Sequence, residues 1–219
     1  MNKKFLEPDV TVDVVLFMVE DGVLKVLLVE REHEPYKGIH ALPGGYLFEK
    51  ETARTGAERV LEEKAGVKNI YIEQLYTFDT PGRDPRGPNF SISYIALVHS
   101  PIMINKSHDV QKPEWFPVKK LPKLGFDHKE IIEYAVERLR GKLEYTTIGF
   151  NALPKLFTLS QLQQVYEVIL NKKLDKRNFR KKMDQFGFIK ETNKSLTGMR
   201  QRPAKLYSLA VKPGEIKNF

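Results

Sequence analysis

Two β-branched apolar runs, TVDVVLFMV and VLKVLLVER, flank Glu20-Asp21-Gly22. Asp-Gly between such runs signals a hairpin, because a tight primed turn needs positive φ at its centre. The chain therefore begins on a sheet. LPGG at 42–45 breaks that sheet. The 3.6-residue spacing of Ala53, Ala57, Val60 and Leu61 then predicts a helix from about Thr52 to Ala65, closed by Gly66. IYIEQLYTF and SISYIALVH read as strands on either side of a Pro- and Gly-rich loop, DTPGRDPRGPNF, and EWFPV reads as a short strand. KEIIEYAVERLRGKL places Ile131, Ile132, Ala135, Val136 and Leu139 on one face, the pattern of an amphipathic helix.

The pattern changes after TTIGFNALPKLFT. LSQLQQVYEVIL reads as a helix capped by Thr158 or Ser160, and NKKLDKRNFRKKMDQFG as a turn followed by a helix capped by Asp175. FIKETN and AKLYSL read as strands joined by KSLTGMRQRP. Helix, turn, helix and a hairpin with a basic tip describe a winged helix. The expected division is 1–148 and 149–219. In the second of these helices Phe179, Met183 and Phe186 share the inward face, which leaves Arg177, Asn178, Arg180, Lys181 and Lys182 outward. Arg reads guanine and Asn reads adenine by paired hydrogen bonds, so such a face suits a major groove. Arg200, Arg202 and Lys205 fall at the hairpin tip, within reach of phosphates or a minor groove.

Charge supports that assignment. The chain carries a net +8, yet residues 151–219 hold 15 Lys+Arg against 5 Asp+Glu, while residues 1–150 hold 21 against 23. A basic third with this much Leu, Phe, Val and Ile should fold, and nucleic acid or an anionic surface is the partner it suggests; with the winged-helix pattern, that partner is expected to be double-stranded DNA. No apolar run approaches the ~18 residues that span a bilayer, so no membrane partner is expected. The start, MNKKFLEPDV, lacks the apolar stretch of a secretory signal. The absence of cysteine excludes disulfides and thiolate chemistry and suits the cytoplasm.

The stretch GGYLFEKETARTGAERVLEEKAGV, from Gly44 to Val67, carries the most specific pattern. Gly45, Glu51, Arg59, Leu61, Glu63, Gly66 and Val67 match at the correct spacing the Nudix box: Gly, five residues, Glu, seven residues, then Arg-Glu-hydrophobic-any-Glu-Glu-any-Gly-hydrophobic. The resemblance implies a mixed sheet between helices, and an enzyme that cleaves a diphosphate with divalent metals held by three Glu at i, i+3 and i+4. Here those positions are Val60, Glu63 and Lys64. A cation would be repelled by Lys64, and Mg²⁺ needs hard oxygen donors. Efficient hydrolysis is therefore not expected, and no catalytic or metal-binding residue is assigned. Glu51, Glu62 and Glu63 form at most a weak Mg²⁺ set. Gly45, Arg59 and Gly66 then build only the loop and helix. The alternative is a Nudix hydrolase, cleaving a nucleoside diphosphate derivative such as ADP-ribose, with a fused nucleic-acid module.

A degenerate Nudix domain before a winged helix resembles the NrtR family of Nudix-related transcriptional regulators, through EQLYTFDTPGRDPRG, FDH at 126–128, FTLSQLQ, KRNFRKKM and RPAKLYSL. IGFNALPKLFTLSQLQ with DKRNFRKKM is most similar to the sugar-responsive branch, often called AraR. The resemblance implies an α+β chain acting as a homodimer, each winged helix reading a half-site of a palindromic operator. It implies an effector in the Nudix domain: a pentose such as L-arabinose, toward which the branch leans, or ADP-ribose or a related nucleotide. Arg31, Glu51, Glu63, Arg83 and Arg86 are the candidate effector ligands. Arg83 and Arg86 suit a bidentate grip on a diphosphate; the competing reading is that they anchor their loop through Asp84 or Asp79. His128 is expected to be a structural contact rather than a base.

Overall fold

The computed structural model describes residues 6–99, 113–196 and 204–211. The chain divides into two compact units, one drawn from Met1–Phe17, Lys25–Ala96 and Ile102–Ala135, the other from Met18–Leu24, Leu97–Pro101 and Val136–Phe219.

The strands of the sheet are β1 (Asp9–Glu20), β2 (Val23–Glu30), β3 (His40–Ala41), β4 (Gly44–Tyr46), β5 (Glu73–Phe78), β6 (Asn89–Val98) and β7 (Pro113–Pro117). The order is β3-β2-β1-β6-β5, with β4 paired to β1 and β7 to β2. β1 is buried without alternation from Thr11 to Met18, the mark of a strand covered on both faces. Its turn into β2 has Asp21 at φ 49° and Gly22 at φ 74°, as the Asp-Gly signal requires. β4 pairs with β1 through Asp13 opposite Gly44. A Cβ on Gly44 would stand 2.1 Å from Asp13 Oδ1, so only glycine leaves that carboxylate room inside the sheet.

Helix α1 (Ala53–Ala65) is capped by Thr52, whose side chain accepts from Thr55 N while Thr55 answers in a capping box. Gly66, left-handed at φ 65°, closes it. Gly56, Ala57, Val60, Leu61 and Ala65 form its buried stripe. Helix α2 (His128–Lys142) buries Ile131, Ile132, Ala135, Val136 and Leu139 as the periodicity predicts. The two short strands β3 and β4, on either side of Pro43, were not foreseen, nor was the 3-10 helix Ile148–Ala152 in the segment read as a boundary. Elements of two to five residues carry no period to read.

In the second unit, α3 (Leu159–Leu170) is capped by Thr158 and α4 (Lys176–Phe186) by Asp175. Strands β8 (Ile189–Leu196) and β9 (Ala204–Leu209) form an antiparallel hairpin. Phe157 and Tyr207 exchange both backbone hydrogen bonds, which adds a third, one-residue rung to that sheet. Phe150, Phe157, Phe186 and Phe188 pack edge-on or tilted with centroids 5.4–6.3 Å apart, and Tyr166 packs on Phe179 at 5.3 Å. Between α3 and α4, Glu167 accepts from Lys173 Nζ, Leu174 N and Gln163 Nε2. These donors, Lys173 foremost, push its carboxyl down to about 2. The turn that sets α4 is thereby held by one carboxylate.

Candidate functional site

A cleft of about 400 Å³ opens in the first unit. Arg31, Glu63, Arg83 and Arg86, four of the five candidate effector ligands, line it, and Lys64 lies beside them. Glu51 does not line it. Aromatic rings edge the same space: Tyr46, Phe48 and Phe126. Phe126 sits at φ 54°, a conformation a bulky residue adopts only when its surroundings enforce it. Its ring meets Tyr36 at 5.0 Å and His128 at 5.1 Å, and the Arg31 guanidinium lies 4.8 Å from its centroid. Burial, and then repulsion from Arg86, weaken Arg31's hold on its proton, so positive charge is crowded at this mouth.

The cleft floor is a buried polar cluster. Arg83 donates Nε and Nη2 to the two carboxylate oxygens of Asp127, each at 2.8 Å, and Nη1 to Asn89 Oδ1, and it lies 3.5 Å from Asp13. With its side chain 4% exposed, Arg83 is a strut committed to protein partners. Arg86 pairs with Asp84 at 2.5 Å but remains 38% exposed, with its guanidinium over Tyr46 and Phe126. Ser91 donates to Asp13 at 2.6 Å. His128 accepts the Leu42 N–H on Nδ1, which leaves Nε2 to carry the proton, 3.5 Å from Asp13. Burial lowers its pKa, against the pull of Asp13 and Asp127. A ring so held between backbone and carboxylate is structural.

The box is organised by Arg59. It donates to Glu51 at 2.6 and 3.0 Å, to Glu63 at 2.9 Å and to the Tyr46 carbonyl at 2.9 Å, and it covers the Phe48 ring at 3.9 Å. The Arg59 hydrogen bond, with a second from Phe48 N, holds the Glu51 carboxyl below its usual range. Glu62 pairs with Lys68. Val60 is fully buried, and a Cβ on Gly45 would come within 3.3 Å of its Cγ2. Among the described residues no three carboxylate, imidazole or thiol groups are gathered to hold a metal. The donors present do not fit Mg²⁺, which needs near-octahedral oxygens: Glu51 and Glu63 answer Arg59, and an ammonium occupies the remaining slot.

In the second unit, Phe179, Met183 and Phe186 are buried, and Arg177, Asn178, Arg180, Lys181 and Lys182 are all exposed on α4, as the pattern predicts. Arg180 and Lys205 line a groove of about 660 Å³ together with Thr158 and Ser160 at the start of α3. Lys205 also pairs with Glu191 at 2.6 Å. Arg200 and Arg202 lie outside the described residues.

Residues 7–135 match the profile of the NUDIX domain, and residues 149–209 match that of the NrtR DNA-binding winged helix domain. The ADPR-responsive transcriptional repressor NtrR of Acinetobacter baylyi is 36% identical over 93% of this chain and 83% of its own length. The chain belongs to the NrtR family of Nudix-related regulators. Its α+β architecture, a Nudix fold followed by a winged helix, is that of Shewanella oneidensis NrtR in complex with a 27mer DNA: TM-score 0.82, 39% identity, 91% of this chain and 93% of that one. The NUDIX domain of the same Shewanella protein, crystallised with ADP ribose, aligns at 39% identity and TM-score 0.56 over 63% of this chain and 94% of that one.

Within this NrtR-type frame, local sequence reasoning missed Asp13, Asn89 and Phe126 as parts of the site. Asp13 did carry a signal, being a carboxylate inside an apolar central strand. Asn89, at the start of β6, and Phe126, ahead of α2, are brought to the site only by the folded chain.

Proposed function

We propose that this protein is an ADP-ribose-responsive regulator of transcription, and a repressor by analogy with the Acinetobacter relative. The Nudix domain, 1–148, is a sensor without efficient hydrolysis. The winged helix, 149–219, binds operator DNA as a cytoplasmic homodimer on two half-sites. The reading is carried by one coincidence: a built cleft with crowded cations in one unit, and five exposed DNA-competent side chains on a buried aromatic spine in the other. A diphosphate suits Arg31, Arg86 and Lys64, and the rings of Tyr46, Phe48 and Phe126 suit a purine. The pentose leaning has no support in the relatives above, where the ligands named are ADPR and ADP ribose. For ADP-ribose to act it must prefer one of the two states of the dimer, free or DNA-bound.

The test begins with the full chain selecting duplexes from a random-sequence pool. ADP-ribose, NAD and L-arabinose are then titrated against the selected complex. ADP-ribose is expected to release the DNA at the lowest concentration. Release by L-arabinose alone restores the sugar reading, and release by none leaves a DNA-binding protein whose Nudix domain only assembles it.

A further inference from the structure

Five cationic side chains line the Nudix cleft, and they are not alike. Arg83 is consumed by Asp127, Asn89 and Asp13. Arg59 is consumed by Glu51 and Glu63. Arg86 pairs with Asp84, and Arg31 donates to the carbonyls of Pro35 and His33. Lys64 alone of the five has no hydrogen-bond or ion-pair partner among the described residues. It sits half-buried in the last turn of α1, where the helix axis ends on a partial negative charge too weak to satisfy an ammonium.

A second unmet donor lies in the same wall. Asn89 is 5% exposed and its Nδ2 has no partner. Its orientation is fixed, because Oδ1 accepts from Arg83 and Thr11. Turning the amide over would set N–H against the donor-only guanidinium. A buried amide N–H₂ left unpaired costs stability, but this one lies beneath the cleft wall, shut off from solvent, so the group open to a ligand is the Lys64 ammonium. The cleft thus offers a free cation to a ligand rich in anionic oxygens, while Asp13, Glu63 and Asp84 already answer Ser91, Arg59 and Arg86.

We propose that Lys64 takes the place of a divalent cation in this cleft: its ammonium neutralises the diphosphate of the ligand, and binding is independent of metal. The idea rests on the ADP-ribose reading above, and it adds that the altered box is a ligand contact in its own right. The substitution converts a carboxylate that would need a bridging metal into a group that binds phosphate oxygen directly.

The experiment is calorimetric titration of the full chain with ADP-ribose in excess EDTA and again in millimolar Mg²⁺, for the wild type, Lys64→Met and Lys64→Glu. Each protein is first checked by its thermal unfolding. Methionine keeps the length of the stem and removes the charge. The wild type is expected to bind equally in both conditions. Lys64→Met is expected to lose about ten- to hundredfold in affinity in both, the usual worth of one charge-assisted contact, and Lys64→Glu to lose more. If the wild type binds only with Mg²⁺, or if Lys64→Met binds as the wild type does, the proposal is overturned while the ADP-ribose reading stands. If the wild type binds ADP-ribose in neither condition, the functional reading itself fails, and this proposal with it.

Discussion

The role of Arg83 is decided by Arg83→Met. The guanidinium makes two 2.8 Å bonds to Asp127, a further bond to Asn89 and a 3.5 Å approach to Asp13. The side chains of Arg83, Asp13 and Asp127 are 4, 8 and 11% exposed. Removing the cation strands two buried carboxylates, and breaking such a pair costs about 3–5 kcal/mol. At roughly 2–4 °C per kcal/mol for a domain of this size, the Nudix unit should melt some 6–20 °C lower. Differential scanning calorimetry reads this directly. Asp127→Asn in the same background relieves one stranded charge and should recover part of the loss, as coupled neighbours do. A diphosphate-gripping arm would behave otherwise. If Arg83→Met melts within about 1–2 °C of wild type, a change of at most about 1 kcal/mol, yet loses ADP-ribose binding, the strut assignment is wrong.

Three further outcomes are expected. DNA affinity should fall steeply between low and moderate salt, and Arg180→Ala and Lys181→Ala should each lower the slope of log K against log salt by about one for each phosphate left without its cation; a salt-independent affinity removes α4 from the interface. With ADP-ribose and Mg²⁺ or Mn²⁺, turnover should stay below about 1 s⁻¹, under the usual enzymatic range; faster turnover, measured as phosphate ester released, restores the hydrolase reading. His128 is held neutral by burial, so its folded pKa lies below the unfolded value of about 6.5. The unfolded chain therefore takes up the proton first, and urea unfolding should show stability falling as pH drops below about 6.5, by at most ~1.4 kcal/mol per unit from this group; a flat profile for the wild type from pH 7 to 5 contradicts the assignment.

What could be read from the sequence was local. Asp175 and Thr158 stand directly before periodic apolar runs, and they cap α4 and α3. Asp21-Gly22 fixes its turn through two positive φ angles. The site was legible only in part because its partners are distant in the chain. Asp84 and Asp79 were the anchors within local reach of the RDPRG loop. Arg86 does take Asp84, but Arg83 reaches past both to Asp127, 44 residues on, and toward Asp13 on the opposite side of the sequence. Two arginines three residues apart thereby acquire different work. No spacing rule separates them, since the difference is made by which side of the loop faces the sheet.

The two altered box positions answer to different physics. Val60 is fully buried against Gly45, and an uncompensated carboxylate there would carry a large desolvation cost. Once metal is no longer bound, an aliphatic side chain is what stability favours at that point. Lys64 faces the cleft, half open to water, and stability alone is nearly indifferent to what stands there. A positive charge at 64 therefore has to be explained by what enters the cleft. The retained residues obey the same logic: Glu51 and Glu63 persist as the counter-charges of Arg59, which ties the loop from Tyr46 to Glu51 onto α1. Replacing Arg59 should thus loosen that loop, whereas replacing Lys64 should leave it standing and change only what the cleft holds.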